Sequence, residues 1–422
     1  MSETNRQAES VEALQLTLHG QKVGILTHYT GGKNILTFGP EYRALREQDR
    51  PTMTLTQRIN PDYVDKVLVS SQRVPAVLSN LLPEGALREL LSETLRIHPA
   101  NEFPMLAWVG NNLPGAIIAA PVPGSEIPVW ALSARNRTEA VQIDVRGVAQ
   151  KFSLAGIQMK FSTVRRDGRY NISAELGTDS WIVKTPSTLH RNVPENEFSA
   201  MKLAEAAGVD IPEVALISLD TLDNLPSIQL PDEEHAYAIR RFDRSARGRI
   251  HTEDFAQVFE FFAHDKYGKA NYEQVAAVLY RYGGGGLGDI QQLARRLLAN
   301  ILLANGDAHL KNWTLIYPDA VNPKLAPAYD IVSTLPYVPG ETGIALNLGK
   351  QKKWYPMTLE TFQTWSKRID VPWPAIKVHL LDALAAARDR WPGMLQDLPM
   401  QELHKDVLRS HWSKLSTDFK LL

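Results

Sequence analysis

Between Asp289 and Leu302 the apolar residues Ile290, Leu293, Ala294, Leu297, Leu298, Ile301 and Leu302 recur with helical spacing. They form one continuous stripe, while Gln291, Arg295 and Arg296 lie off it. Only an α-helix buried along one side presents those positions together. Asp289 is placed to cap its start. Asn305-Gly306, which tolerate left-handed backbone, are placed to end it. The next segment of chain is therefore carried on a rigid, buried mount. That segment reads Asn305-Gly306-Asp307-Ala308-His309-Leu310-Lys311-Asn312-Trp313, with Tyr329-Asp330-Ile331 a little further on.

Asp307 and Asn312 are joined by a short loop, and a strand-loop-strand hairpin would return Asp330 to the same edge. Carboxylate and amide oxygens suit magnesium, a hard cation that leans on substrate phosphates. Phosphoryl transfer of the protein-kinase kind needs this set. One Asp orients a hydroxyl and accepts its proton, while an Asn and a second Asp hold metal on the nucleotide phosphates. Singly, Asp and Asn most often close loops and turns; the ordered string is what points to chemistry. His309 either braces the loop through backbone carbonyls or touches phosphate. Lys311 is either a solvated loop lysine or a phosphoryl contact.

The same chemistry wants a lysine on a strand and a helix carboxylate to position it. Lys184 ends the apolar segment Trp181-Ile182-Val183, where it can reach the α- and β-phosphates. Glu195 and Glu197 stand in the first turn of the next helix. Acids are favoured there by the helix dipole anyway, and Glu197 is the residue expected to pair with Lys184. Ser153-Leu154-Ala155-Gly156-Ile157-Gln158-Met159-Lys160 precedes a strand, and small residues around Gly156 let backbone N–H groups approach phosphates. The run Gly283–Gly288 formally matches a dinucleotide-binding fingerprint. The segment before it reads as helix rather than strand, so it is taken as a loop between helices.

The remaining chain reads as an α+β protein. Residues 14–18, 22–26 and 34–38 alternate as strands, with Gly31-Gly32 as a turn. Residues 75–97 read as helix interrupted at Pro83-Glu84-Gly85. Residues 102–109 read as a helix and 115–119 as a strand. Pro121, Pro123, Gly124 and Pro128 mark a linker. The expected division is 11–120 as an N-terminal subdomain, 121–150 as linker, 151–245 as a strand-rich part with the phosphate loop and nucleotide lysine, and 246–422 as a helical part with the catalytic loop. A chain of 422 residues with a net charge of -1 gives no global basic signal for nucleic acid. It has no cysteines, which removes disulfides, thiolate metal sites and thiol nucleophiles. The polar, acidic start is unlike a secretory signal, and no apolar run has membrane-spanning length. A cytoplasmic protein is expected.

Taken together, Ser153–Lys160, Trp181–Lys184, Asn196-Glu197, Arg241-Phe242-Asp243-Arg244, Asn305–Asn312 and Tyr329–Ile331 resemble the HipA family, serine/threonine kinase toxins of bacterial toxin–antitoxin pairs. Leu78–Pro83 and Gly110–Ile117 look like that family's N-terminal subdomain. The resemblance implies a two-lobed protein-kinase-like fold with a small N-terminal α+β subdomain and a mostly helical C-terminal lobe. It implies ATP and Mg2+ as cofactors, Asp307 as catalytic aspartate, and Asn312 and Asp330 as metal ligands. Lys184 would contact the nucleotide phosphates under a loop of Ala155, Gly156, Ile157, Gln158, Met159 and Lys160. Arg240, Arg241 and Phe242 would form the hinge at adenine; Arg240 departs from the acidic residue usual there. Tyr329, beside the metal-binding Asp330, would also contact the nucleotide. Ser153 would be autophosphorylated and silence the kinase, since a phosphoserine adds negative charge beside a site for ATP phosphates. Implied partners are a HipB-like helix-turn-helix antitoxin, through which alone the protein would meet DNA, and a protein substrate such as an aminoacyl-tRNA synthetase. Two other readings remain: a small-molecule or lipid kinase of related fold, and a catalytically weak corepressor acting with a DNA-binding antitoxin.

Overall fold

The computed structural model describes residues 9–132, 138–140, 160–166, 168–172, 180–225 and 229–422. The chain is α+β and divides into two compact units. The first comprises residues 1–152, 245–263 and 317–322, and the second 153–244, 264–316 and 323–422.

In the first unit, strands β1 (Glu9–Leu18), β2 (Gln21–Tyr29), β3 (Lys33–Phe38), β4 (Val67–Ser71) and β5 (Ile117–Pro121) form an antiparallel sheet in the order β4-β3-β2-β1-β5. The alternation of Leu14, Leu16 and Leu18 puts all three on one face, packed with Leu26, Leu36, Leu78 and Phe103. The expected 75–97 helix is broken: Ala76–Ser79 and Gly85–Leu95 are separate helices. Pro83 cannot continue the first, and Gly85 takes a left-handed φ of 56°. The Pro-rich segment read as linker lies against this unit over its described part. Val122, Ile127 and Ala131 bury with Ala13 and Ile25 on the second face of the sheet, and β6 (Thr138–Ala140) pairs parallel with Glu9–Val11. Prolines in this stretch thus order a covering layer, because the sheet carries apolar side chains on both faces.

The second unit holds the site. Its strands β7 (Lys160–Arg166), β8 (Arg169–Asn171), β9 (Trp181–Lys184), β10 (Val214–Ser218), β11 (Leu222–Asp223) and β12 (His235–Arg240) are ordered β10-β12-β9-β7-β8-β11. Trp181, Val183, Ala236 and Ala238 bury together. Period-two alternation therefore turns Lys184 to the opposite face from Trp181 and Val183. The register sets Lys184 directly across from Lys160 on one side and Tyr237 on the other. Helix Val193–Ala206 packs against β12 and β10.

The long amphipathic helix runs Gly286–Leu302, one turn earlier than its apolar stripe starts. Asp289 is consequently not its cap; its carboxylate accepts the Leu325 N–H at 2.9 Å. Ile290, Leu293, Leu297 and Ile301 are fully buried, each contributing on the order of 1.5–3 kcal/mol. Arg296, off the stripe, is buried as well. It donates to the Ala326 carbonyl at 2.6 Å and stacks over Trp313, and burial lowers its pKa to about 10. The terminal carbonyls of this helix are met from helix Glu402–Lys414: His411 Nε2 donates to Ile301 and Trp412 Nε1 to Leu302, both at 2.8 Å. The left-handed residue that ends the helix is Ala304, φ 51°, rather than Asn305 or Gly306. Asn305 is freed for another task.

Candidate active site

The strand end of β9 and the second turn of helix Val193–Ala206 bring Lys184 and Glu197 together, Nζ to Oε1 at 2.5 Å; the helix starts at Val193, so only Glu195 stands in its first turn. Both side chains are buried. Lys184 also forms an ion pair with the Asp330 carboxylate, whose second oxygen lies 3.4 Å from Lys160 Nζ. Two lysines set opposite each other across β7 and β9 thus converge on one aspartate. Burial alone would push the Asp330 carboxyl up, but Lys160 and Lys184 outweigh it and hold the group far below the ordinary carboxylate range. For Lys184 burial acts downward, yet Asp330 and Glu197 keep the ammonium charged above its usual range. Burial pushes Glu197 upward against the pull of Lys184. Tyr237, whose ring lies 5.4 Å from Lys184 Nζ, is pushed well above its ordinary value by burial and by these carboxylates.

Asp330 itself sits in left-handed backbone, φ 54°, a conformation Asp tolerates better than most residues. Its position is fixed by its neighbours. Asn196 accepts the Ser333 N–H at 2.9 Å and donates to the Ser333 carbonyl at 3.1 Å. This completely buried clamp ties the helix bearing Glu197 to the segment bearing Asp330. Asn196→Ala removes both bonds and strands two backbone groups. It is expected to lower unfolding free energy by about 2–4 kcal/mol, read by urea denaturation. A loss under about 0.5 kcal/mol would show that the clamp is dispensable.

Asp307 leaves the helix through Asn305. The Asn305 Oδ1 accepts the Asp307 N–H at 3.1 Å, while its Nδ2 donates to Asn300 Oδ1 at 2.7 Å and to the Asp330 carbonyl at 3.4 Å. One amide therefore holds the two aspartate-bearing loops. A side chain at Gly306 would meet the Glu341 carboxylate, which would have to swing aside. Asn312 Nδ2 donates to the Asp307 carbonyl at 2.9 Å, whereas its Oδ1 is buried without a hydrogen-bond partner. His309 N–H donates to the Asp307 carbonyl at 2.7 Å, and its ring packs edge-on to Tyr267. Tyr267 in turn donates its hydroxyl to Asp307 Oδ1. Strand Thr314–Tyr317 pairs with Lys324–Leu325, and the returning Tyr329 donates to the Lys311 carbonyl at 2.7 Å, stitching the two arms. The Lys311 side chain is partly exposed at this edge.

The structure therefore brings Lys160, Lys184, Glu197 and Asp330 into direct contact, and links them through Asn305 to Asp307, His309, Lys311, Asn312 and Tyr329. The hinge trio is divided. Arg240 is exposed and pairs with Glu213 at 3.4 Å. Arg241 is buried in a two-bond contact with Asp243 and reaches Ser162 at 3.0 Å. The backbone N–H groups of Arg240 and Arg241 donate to Glu213 and Ser180. Phe242 packs against Tyr329 with the rings tilted by 37°, centroids 5.8 Å apart. Ser153, Ala155, Gly156, Ile157, Gln158 and Met159 lie outside the described residues.

Three roles at this site escape sequence reasoning. Asn196 enters the sequence reading only as part of the Asn196-Glu197 resemblance, with no task attached. Asn305 is masked by its resemblance to a helix terminator. Tyr267 lies forty residues before Asp307 in an unpatterned loop. As for a cation, no three His, Cys, Asp or Glu residues converge to hold a metal among the described residues. An orphaned amide oxygen on Asn312 and the charged Asp330 carboxylate nevertheless make a hard-oxygen pair that fits magnesium completed by phosphates and water.

Models of known families match most of the chain: the HipA N-terminal domain over residues 14–120 and the HipA-like C-terminal domain over 152–391. The Sinorhizobium fredii protein named "Putative kinase Y4dM" is 36% identical over 95% of this chain and 96% of its own length. The serine/threonine-protein kinase toxin HipA of Shewanella oneidensis is 25% identical over 66% of this chain and 67% of its own. A chain of the solved Shewanella oneidensis complex of HipA, HipB and operator DNA has the same fold. Its TM-score is 0.70 at 18% identity, covering 95% of this chain and 97% of that one.

Proposed function

Since the chain belongs to the HipA family of kinase-like toxin proteins, we propose that it is a serine/threonine protein kinase. It uses ATP and Mg2+ and acts as the toxin of a toxin–antitoxin pair. The observation that carries this reading is the Lys184 ammonium held between Glu197 and Asp330. A buried lysine fixed by a helix carboxylate and a metal-class aspartate is the arrangement that grips nucleotide phosphates.

In this reading Asp330 and the unpartnered Oδ1 of Asn312 would hold the cation, and Lys184 and Lys160 would take up phosphate charge. Magnesium, when bound, neutralises charge on the transferring phosphoryl group. Asp307 orients the substrate hydroxyl and accepts its proton. Phe242, beside Tyr329, offers an apolar flank to the adenine. Ser153 is the autophosphorylation site that silences the enzyme. The partner is a HipB-like helix-turn-helix antitoxin, which alone contacts DNA. The substrate is a protein, with an aminoacyl-tRNA synthetase as the candidate the family suggests. No helix among the described residues is long and apolar enough to cross a membrane.

Incubation of the purified chain with γ-labelled ATP and a bacterial lysate tests the proposal. Label is expected on serine or threonine of a protein, and phosphate on Ser153 of the kinase itself by mass spectrometry. Label confined to metabolites or lipids would replace the protein-kinase reading. Kinase activity with Ser153 unmodified would remove the self-inactivation step alone.

A further inference from the structure

The loop 307–310 is met, residue by residue, from the segment 266–272. The Leu310 N–H donates to the Lys266 carbonyl at 3.3 Å, and the Tyr272 hydroxyl donates to the Ala308 carbonyl at 2.7 Å. Tyr272 is fully buried at the start of helix Tyr272–Tyr282, with its ring edge-on to Trp313. These two bonds fasten the segment at either end. Between them stands Tyr267. Its ring meets His309 edge-on, centroids 5.1 Å apart and planes at 84°, and its hydroxyl donates to Asp307 Oδ1.

Burial does not demand that last bond. Tyr267 is 46% exposed, so water can satisfy its hydroxyl as well as a carboxylate can. Nor is the ring a loose cover over Asp307. The backbone before it is bonded to Leu310, and the ring rests on the buried His309, whose N–H is on the Asp307 carbonyl at 2.7 Å. A phenol fixed to the same loop as the carboxylate it touches holds the two in one geometry. Without it the carboxylate turns about its side-chain torsions, and a base that turns spends time out of line with its acceptor. A hydrogen bond to an ionised oxygen is the stronger kind, suited to stopping that motion.

We propose that Tyr267 is a positioning residue for phosphoryl transfer, its hydroxyl pinning Asp307 Oδ1 so that Oδ2 is presented to the acceptor hydroxyl. This role rests on Asp307 being the base of the proposed kinase. In the step itself the acceptor O–H passes its proton to Oδ2. Its oxygen bonds to the γ-phosphorus, and the bond from that phosphorus to the leaving ADP oxygen breaks. Tyr267 keeps its own proton throughout. Loss of its hydroxyl is therefore felt in the rate of transfer and not in the hold on nucleotide.

The test measures transfer of label from γ-labelled ATP to the proteins of a bacterial lysate, as initial rate against ATP concentration. The full chain is compared with Tyr267→Phe, Asp307→Asn and the double variant. Tyr267→Phe keeps the ring on His309 and is expected to lower kcat about tenfold, with KM for ATP held within about threefold. Added to Asp307→Asn, the same change is expected to cost less than about twofold, because the group it positions is already gone. Tyr267→Leu, a second variant that also removes the ring, is expected to fall at least as far as Tyr267→Phe. Urea denaturation confirms that each variant is folded. An unchanged or raised kcat in Tyr267→Phe would overturn the role. So would a tenfold loss repeated in full on Asp307→Asn, which is what a merely structural tyrosine gives. Those two results leave the kinase reading standing. A wild type that transfers no label, or an Asp307→Asn chain as fast as wild type, removes that reading or its base, and this role with it.

Discussion

Asp307→Asn is expected to lower the rate of phosphoryl transfer about 10²–10⁴-fold, the range of a lost general base. Nucleotide affinity should hold within about threefold, because the change removes a proton acceptor and not a phosphate contact. The substitution keeps the side chain's shape. Asp307 N–H remains on Asn305 and its carbonyl remains on Asn312 and His309, so the loop is retained. The measurement pairs single-turnover kinetics with a fluorescent-nucleotide titration on the same preparation. In cells the same variant should no longer arrest growth when expressed without antitoxin. A variant as toxic as wild type, or one that transfers phosphate at an undiminished rate, would end the assignment of Asp307.

Lys184→Met should cost stability as well as activity. The ammonium is the shared counter-charge of Glu197 and Asp330, and removing it leaves Glu197 buried without its cation. Breaking a buried pair by deleting one partner costs about 3–5 kcal/mol. Lys184→Met with Glu197→Gln should recover much of that loss while leaving nucleotide binding impaired. The pH dependence has a definite sign. Asp330 is held below its unfolded value, so its contribution is present above roughly pH 4 and is lost as pH falls toward the folded pKa. The wild type should therefore lose stability in acid more steeply than Lys184→Met, which lacks one of the two lysine charges that depress Asp330. Parallel acid slopes in urea denaturation, or a single variant as stable as wild type, would contradict this account.

Strand β9, helix Val193–Ala206 and the 286–302 helix are legible in the sequence because period and burial are local consequences of residue order. The string from Asn305 to Asn312 is legible because its loop is short. Sequence spacing also narrows the partner of Lys184 to Glu195 or Glu197 at the start of the next helix. Between these two the register decides. Glu197 faces Lys184, whereas Glu195, two residues earlier and so turned to a different side, pairs with His235.

Other features have no local signature. Asn305 reads as a helix terminator, yet Ala304 supplies the left-handed residue and Asn305 spans two loops. Arg296 lies off the apolar stripe, yet it is buried over Trp313. The Pro-rich stretch after residue 120 reads as a linker, yet its described part covers a sheet face. Each depends on what arrives from elsewhere in the chain.

The sequence by itself determined the proposed donor set, Lys184, Asp307, Asn312 and Asp330, and the rigid helix that delivers half of it. Residue chemistry and helical period are properties of order alone. Only the tertiary structure decided that Lys160 and Lys184 stand opposite each other on β7 and β9. It alone brings both to an Asp330 in left-handed backbone, beside a helix clamped by Asn196. Strand register and loop closure are set by long-range pairing and burial, which no local window contains.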